Sequence, residues 1–424
     1  MATSHYDWEH GPAEIQQHTI AKHNILRSYL AAYFSTLVSS PNQDVLRLTL
    51  VDGFSGGGLY VHGDTKALTL GSPFIFLEAT KEAEFLINKD RRKPVRLEVD
   101  YFFVEADHNA YVHLEDTLRD RGFGSRIGLD IQLRNKAFHE VAGEITAFIK
   151  KKSPRNGRSI FALDQYGYKD VPTTLIRNIF AALPSAEVIL TFGVDSLINY
   201  ASDKAPTRKL LDRIGLGDIT SGQSIDVLKQ SDRQWRLAIQ ANLYRALVEQ
   251  CGAKHFTPFF IRNNKGHGDY WLIHLSQHHR ARDVMTEVHW NNSNHFIHYG
   301  GPGLEMFQMV GYDPNRDSSF KGQSELGFEF DDIARNASID ALVEQIPRHV
   351  YANEGGISFG ELFATTCNGT PASGEIYRSA IKILLDHRAL EVIAVDGGQR
   401  HSAQRIHDKD QIRPPNQQVL FLPS

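Results

Sequence analysis

Short apolar runs recur along the chain, and the stretches between them have the period of amphipathic helices. The runs are Leu46–Val51, Leu97–Glu105, Ile127–Leu133, Ser159–Asp164 and Ala186–Phe192. A helix over Thr19–Val38 precedes them, because apolar side chains recur there about four residues apart. Runs of strand length that alternate with helices predict a parallel sheet covered on both faces.

The end of this series differs from its beginning. A helix over about Ser231–Gln250 precedes two more strand candidates, Phe256–Arg262 and Tyr270–Ser276, and only NNKGHGD separates the two. Because so short a link cannot hold a crossover helix, we expect the two strands to be antiparallel. A mostly parallel sheet that ends in an antiparallel hairpin is the α/β architecture of the class I methyltransferase-like (Rossmann-like) fold. This is the predicted fold class.

A glycine-rich loop, VDGFSGGGLY at residues 51–60, follows the first run. A P-loop would need Lys after its second glycine, where Leu59 stands, and a dinucleotide fingerprint begun at Gly56 would end on Val61. A strand that ends in an acid before such a loop is typical of an S-adenosylmethionine pocket, and a plain structural turn is the alternative. The predicted cofactor contacts here are Asp52, Gly53, Gly56 and Gly58.

Polar residues end the next strands as well, and the carboxyl ends of parallel strands line the ligand crevice. Glu105 is placed to accept hydrogen bonds from ribose hydroxyls, with a solvated acid as the alternative. It lies 105 − 52 = 53 residues after Asp52, far beyond the usual spacing of about 20. We therefore expect an insertion that holds Gly71–Phe74 and its helix. After the third strand, Asn135 is a candidate contact to the adenine amine or a turn residue.

The fourth strand, in SIFALDQYGYKDVP, carries the best candidate for chemistry. Methyltransferases that act on exocyclic amines place an acid or amide here, followed by Pro and an aromatic residue. The oxygens then accept hydrogen bonds from the amine while the ring stacks on the base. Asp164 and Tyr166 fit this pattern, whereas Gln165 stands in place of Pro. An acid that merely ends a strand before a turn is the alternative.

Composition narrows the class of protein. The 424 residues are 41% hydrophobic and 23% charged, as in a soluble globular protein of two or three domains. Cys251 and Cys367 are far apart and the histidines lack metal-ligand spacing, so neither a disulfide framework nor a metal site is predicted. Without a span of about 18 apolar residues or a signal peptide, we expect a cytoplasmic protein with no membrane partner. A net charge of −4 excludes a globally basic nucleic-acid binder but leaves local basic patches.

The C-terminal part is predicted to form a separate domain. Residues 291–336 have no helical period and are predicted to be a linker or packing strap. They separate a domain at residues 1–290 from one at residues 337–424. The order of elements in the second domain is that of a winged helix, with helices near Ser338–Tyr351, Ser358–Thr366 and Ser373–Arg388 and then a hairpin from Leu390 to about Ile406.

Basic side chains in this second domain suggest phosphate contacts to a nucleic acid. The candidates are Arg378, Lys382, Arg388, Arg400 and Arg405. Acidic neighbours dilute their charge, so a protein interface and plain packing are the alternatives.

Five stretches together resemble the three-Cys-motif partner (TcmP) family, predicted methyltransferase-like proteins named for a neighbouring gene product. The stretches are HTIAKHNILRSYLAAYF, LVDGFSGGGLY, GSPF, ALDQYGY and YWLIHLSQHHRARDVMTEVHW. The resemblance implies a methyltransferase-like fold with a winged-helix-like tail and a three-Cys-motif protein as a candidate partner. The family positions fall on Lys22, His23, Asp52, Gly56, Gly58, Ser72, Asp164, Tyr166 and Gly167. The family has Pro after the acid, so at Gln165 the rigid turn that would aim the acceptor oxygens is missing.

Lys22 and His23 lie on the first predicted helix. Lys22 lies four residues after His18 and four before Leu26, so one helix face carries a basic pair that continues into apolar contacts. Such a face could cap the substrate cleft, and a solvated edge of the helix is the alternative. Together the patterns predict methyl transfer from S-adenosylmethionine to a nucleic acid, with Asp164, Tyr166, Lys22 and His23 as catalytic residues. The alternative is a binding protein that keeps the pocket without catalysis and docks its partner through the tail, and Gln165 favours it.

Overall fold

The structure is a computed structural model. It describes residues 8–9, 11–38, 41–165, 169–200, 202–217, 224–231, 235–261, 270–291, 297–298, 303–304 and 328–415. The strands are β1 Ala13–Ile15, β2 Val45–Asp52, β3 Leu59–His62, β4 Leu68–Leu70, β5 Arg96–Val104, β6 Ile131–Arg134, β7 Ser159–Leu163, β8 Ala186–Phe192, β9 His255–Ile261, β10 Tyr270–Ser276, β11 Ile297–His298, β12 Phe328–Glu329, β13 Ile357–Ser358, β14 Glu391–Ile393 and β15 Gln411–Arg413. The α-helices are α1 Gln17–Leu37, α2 Ser72–Asn88, α3 His108–Asp120, α4 Phe138–Lys152, α5 Thr173–Ala182, α6 Val194–Tyr200, α7 Ala205–Arg213, α8 Ile225–Ser231, α9 Trp235–Cys251, α10 His279–Asn291, α11 Asp332–Tyr351, α12 Phe359–Thr366 and α13 Gly374–Asp386.

A seven-stranded sheet forms the centre of the molecule, in the order β6-β5-β2-β7-β8-β10-β9. The first five strands in this order are parallel, and β10 is antiparallel to both of its neighbours. The predicted class I methyltransferase-like fold with a terminal antiparallel hairpin is confirmed. Asp52, the last residue of β2, lies opposite Phe103 in β5 and Ala162 in β7. The loops that follow these three strands therefore meet at one edge of the sheet.

The two faces of the sheet bury separate apolar cores. Leu48 and Leu50 of β2 belong to the core beneath α1, α2 and α10, whereas Val51 belongs to the core beneath α4, α5 and α9. Alternate residues of a strand point to opposite faces, so a strand that is buried on both sides reads as a continuous apolar run. This is why the central strands are visible in the sequence.

An insertion separates the glycine-rich loop from α2. It consists of the antiparallel hairpin β3–β4, and the N-terminal strand β1 joins it in parallel with β3. The insertion and α2 together account for the wide spacing between Asp52 and Glu105. The chain entering α1 is thereby fixed beside the glycine-rich loop.

The C-terminal part has the order of a winged helix. Helices α11, α12 and α13 are followed by a small sheet in the order β13-β15-β14. Helix α11 begins at Asp332, so the domain boundary predicted at residue 337 falls inside a helix. The predicted return of the hairpin by Ile406 is wrong: beyond a single bridge between Ile393 and Gln399, β14 pairs with β15 at residues 411–413.

The segment predicted as a linker is described only in part. Within it, β11 and β12 pair with each other, and residues 305–327 lie outside the described ranges. The apolar core beneath α1, α2 and α10 continues into the winged helix, because Met285 and Trp290 of α10 belong to the same core as Phe363 and Tyr377. Across the ranges given above, no helix is long and apolar enough to cross a membrane.

Candidate active site

Asp52 is a buried acid at the end of β2, with 1% of its surface exposed. Its Oδ1 accepts a hydrogen bond from the Phe54 N–H at 3.2 Å, and its Oδ2 is buried without a hydrogen-bond partner in the described part of the chain. Burial raises the pKa of Asp52 to about 7; the nearby Ser72 hydroxyl and the Phe54 N–H partly offset this rise, and the carboxylates of Asp164 and Glu105 add to it. The unpartnered oxygen marks a place where a donor from a ligand would be accepted.

Glu105 ties the end of β5 to the glycine-rich loop. Its Oε2 accepts from the Gly56 N–H at 2.7 Å and its Oε1 from the Asp107 N–H at 2.8 Å. Each carboxylate oxygen has a second lone pair, so both can still accept from a ligand hydroxyl. Burial raises the pKa of Glu105. Asn135 is exposed, and its Nδ2 donates to the Glu105 carbonyl at 2.9 Å, which closes the end of β6 onto the end of β5.

The glycines of the loop face protein. Gly56 and Gly58 have positive φ values of 58° and 75°, which favour glycine. A side chain at Gly58 would lie 2.7 Å from Leu114 Cδ1, one at Gly53 would lie 2.7 Å from Leu163 Cδ2, and one at Gly56 would collide with the Tyr60 hydroxyl. The missing side chain at Gly58 leaves space for the buried Leu114. The predicted cofactor contact at Gly58 stays a prediction.

The N-terminal segment covers the same loop. A side chain at Gly57 would collide with the Trp8 ring, and Trp8 packs against Tyr60 and His113 with 5.1 Å between ring centroids in each pair. His113 Nδ1 lies 2.7 Å from the Gly57 carbonyl oxygen. The packing of Trp8 against Tyr60 over this loop is not predicted from the sequence, because two aromatic residues 52 positions apart form no recognisable pattern.

Helix α1 brings a lysine to the carboxyl end of β7. The Lys22 Nζ lies 2.6 Å from both carboxylate oxygens of Asp164, and 11% of the Lys22 side chain is exposed. Two helical turns later, Tyr29 donates to Glu187 and lies 3.2 Å from His274 Nε2, which is itself 2.9 Å from Glu187 Oε2. Residues seven apart share one helix face, so this buried triad fixes the face of α1 that presents Lys22.

His23 lies next to this ion pair. Burial lowers the pKa of His23 to about 4. The negative charge of Asp164 raises the pKa in part, and the positive charges of Lys22 and Arg27 lower it further. Its buried Nδ1 has no hydrogen-bond partner within the portion that the structure describes, and its ring centroid is 6.4 Å from that of Tyr60. His23 is therefore a neutral imidazole at pH 7.

Gln165 holds the turn after Asp164. The side chain is 1% exposed, and its Oε1 accepts from the Asp170 N–H at 3.0 Å and the Val171 N–H at 3.1 Å. A buried amide thus links the end of β7 to the residues just before α5. Tyr166 and Gly167 lie outside the described residues. In the sequence Gln165 is only a departure from a pattern, and nothing there indicates these contacts across the turn.

The basic residues predicted in the winged helix divide into two groups. The Arg378 guanidinium lies 4.6 Å from the Phe359 ring centroid and donates to the Ile406 carbonyl at 3.5 Å, and Arg400 pairs with Asp410 at 3.1 Å. Exposed side chains are found at the other three positions, Lys382, Arg388 and Arg405. Among the residues with described positions, no cluster of three or more His, Cys, Asp or Glu could hold a metal ion.

Comparison with known proteins gives one family match. Residues 311–397 match the model described as a GMT-like wHTH domain, which supports the winged-helix assignment. The resemblance to the TcmP family stays a prediction. A search of curated proteins finds no match.

Several solved structures are similar in part. Among them is a Legionella pneumophila protein with 9% identity and a TM-score of 0.34, over 60% of this chain and 85% of that chain. Another is a putative S-adenosylmethionine-dependent methyltransferase from Methanococcus maripaludis, with 12% identity and a TM-score of 0.26, over 61% of this chain and 90% of that chain. A third is Trm1 from Pyrococcus horikoshii in complex with S-adenosylmethionine, with 9% identity and a TM-score of 0.28, over 93% of this chain and 91% of that chain. These TM-scores describe a loose likeness, so the strand order of the sheet carries the fold assignment.

Proposed function

We propose that the protein is an S-adenosylmethionine-dependent methyltransferase that acts on a base of a nucleic acid. The observation that carries the proposal is the meeting of three acids, Asp52, Glu105 and Asp164, at the carboxyl ends of adjacent strands beside a glycine-rich loop. Ligands of open α/β sheets bind at this edge. S-adenosylmethionine is a cation at its sulfonium and carries ribose hydroxyls, so an acid-lined edge complements it in charge and in hydrogen bonding.

In this proposal Asp52 and Glu105 bind the cofactor, and Asp164 binds the methyl acceptor. Glu105 keeps lone pairs for the ribose hydroxyls, and the unpartnered Oδ2 of Asp52 accepts a donor from the same ligand. When bound, S-adenosylmethionine supplies an electrophilic methyl group. Asp164 orients the acceptor and stabilises the positive charge that develops on an attacking amine. Lys22 holds the Asp164 carboxylate in place from α1.

A second candidate function rests on the same ion pair. Lys22 already contacts both oxygens of Asp164, and an acceptor amine would have to share them. A protein that binds the cofactor without transferring the methyl group, and docks a three-Cys-motif protein through its winged helix, has no such conflict.

The two candidates are separated by a binding and a transfer measurement. Calorimetry with S-adenosylmethionine tests the pocket, and tritiated S-adenosylmethionine with total cellular RNA or DNA tests transfer. We expect Asp164→Asn to lower the transfer rate about 10²-fold or more and to change cofactor affinity by less than about 1 kcal/mol. Glu105→Gln should weaken cofactor binding and regain its rate at saturating cofactor. Absence of binding by the unmodified protein would refute the pocket, and binding without transfer would favour the second candidate.

A further inference from the structure

Side chains of helix α10 bind the turn between α12 and α13 of the winged helix. Arg282, which is 1% exposed, donates to the Ala372 carbonyl at 2.9 Å and also to the Thr370 carbonyl. The Trp290 Nε1 donates to the Pro371 carbonyl at 2.8 Å. Three successive carbonyl groups of the turn are thus bound by side chains of the methyltransferase-like domain.

The N-terminus of α13 is closed by the same helix. Asp283 Oδ1 accepts from the Gly374 N–H at 2.6 Å, and a side chain at Gly374 would lie 2.7 Å from the other Asp283 oxygen. Glu287, one turn further along α10, faces Ser373, which is fully buried. Two acids therefore occupy the helix end that would otherwise attract a phosphate group.

This arrangement excludes the usual way in which such a domain reads a sequence. In helix-turn-helix proteins the N-terminal residues of the second helix contact base edges in the major groove. Here that helix is α13, and its first residue and the preceding turn are packed against α10. Base edges cannot reach them without separation of the two domains.

A different surface of the winged helix stays open. Lys382 is exposed one turn after Arg378, and Arg388 is exposed just past the end of α13. Because Arg378 donates to the Ile406 carbonyl, the exposed Arg405 lies on the segment packed beside this helix. Asp386 is the acidic residue in the second half of α13. We call Lys382, Arg388 and Arg405 the basic strip; the other exposed acid of α13, Glu375, pairs with Arg335.

We infer that the winged helix binds nucleic acid through the phosphate backbone at the basic strip and does not read base sequence. Phosphate contacts fix position on a duplex and carry no sequence information. The inference rests on the nucleic-acid part of the proposed function and names the mode of contact. It leaves any choice of target to the acceptor site at the sheet edge.

The test is fluorescence anisotropy with two duplexes of equal length and unrelated sequence, without cofactor, over a series of salt concentrations. The variant Lys382→Glu/Arg405→Glu reverses two charges of the basic strip. The matched control, Lys150→Glu/Lys151→Glu, reverses two exposed charges on α4, on the opposite face of the sheet. Circular dichroism of each variant checks that the fold is kept.

We expect equal affinity for the two duplexes and a linear fall of log affinity with log salt. The slope should decrease by about 0.9 for each lost contact, or about 1.8 in the strip variant, and stay unchanged in the control. A preference of more than about 10-fold for one sequence would overturn the inference, because base contacts would then be made. So would an unchanged slope in the strip variant, or no binding of either duplex by the unmodified protein. Transfer activity with an unchanged slope would refute this inference alone, and strip-dependent binding without transfer would refute the methyltransferase alone.

Discussion

The substitution Asp52→Asn should remove a pH-dependent cost to stability. The pKa of Asp52 rises from 3.8 to about 7 on folding, with burial as the main cause. Below about pH 4 the acid is protonated in both states and has no differential effect. Between about pH 4 and pH 7 the unfolded state loses its proton first, so the stability of the unmodified protein falls as pH rises, and above pH 7 the full cost is present. A shift of this size corresponds to about 4 kcal/mol.

The assay compares urea unfolding of the two proteins from pH 4 to pH 8.5. We expect the difference in unfolding free energy, Asn variant minus unmodified protein, to grow by up to about 4 kcal/mol across this range. Titrating groups that do not interact with Asp52, such as His23 with its lowered pKa, are present in both proteins and cancel in the difference. A difference that does not change with pH would mean that Asp52 is ionised throughout, and would refute the argument from burial.

Two further predictions concern packing. Gly58→Ala should destabilise the protein by about 1–3 kcal/mol more than the control Gly122→Ala does. Both glycines have positive φ values, but only at Gly58 would the added methyl group meet a buried leucine. Equal losses of unfolding free energy in urea would refute the packing argument. Tyr29→Phe should cost about 1–3 kcal/mol, because it leaves the buried Glu187 with one donor fewer, and thermal unfolding that is unchanged by this substitution would contradict it.

The fold could be predicted because its strands are buried on both sides. Ala186–Phe192 and Tyr270–Ser276 match the structure to the residue, since continuous apolar runs bounded by turns leave little choice of state. The third strand begins later than predicted: it starts at Ile131, because Gly124–Arg126 form a 3₁₀ turn and Gly128 has a φ of 83°. Local backbone geometry of this kind is not visible as a hydrophobic period.

The candidate site could be predicted only in outline. The strand-end acids Asp52, Glu105 and Asp164 are visible in the sequence, because their position depends on where each strand stops. Hydrophobic periodicity does not reveal the partners of these acids, since Lys22 is 142 residues away from Asp164 in the chain. The same holds for Arg378: a cation on a helix suggests a phosphate contact, yet its ring and carbonyl partners are set by tertiary packing.

The contacts of α1 constrain the order in which the protein can fold during synthesis. Tyr29 on α1 and its partner His274 in β10 are separated by 245 residues, and α1 also packs against α10, which follows β10. At a synthesis rate of about 5–20 residues per second, α1 waits roughly 12–50 s for this partner. During that time α1 can pack against β2 and α2, which are made early, but it lacks its contacts with β10 and α10. The helix that carries Lys22 and His23 is thus made early but completes its packing late, after its ion-pair partner Asp164 has already been synthesised.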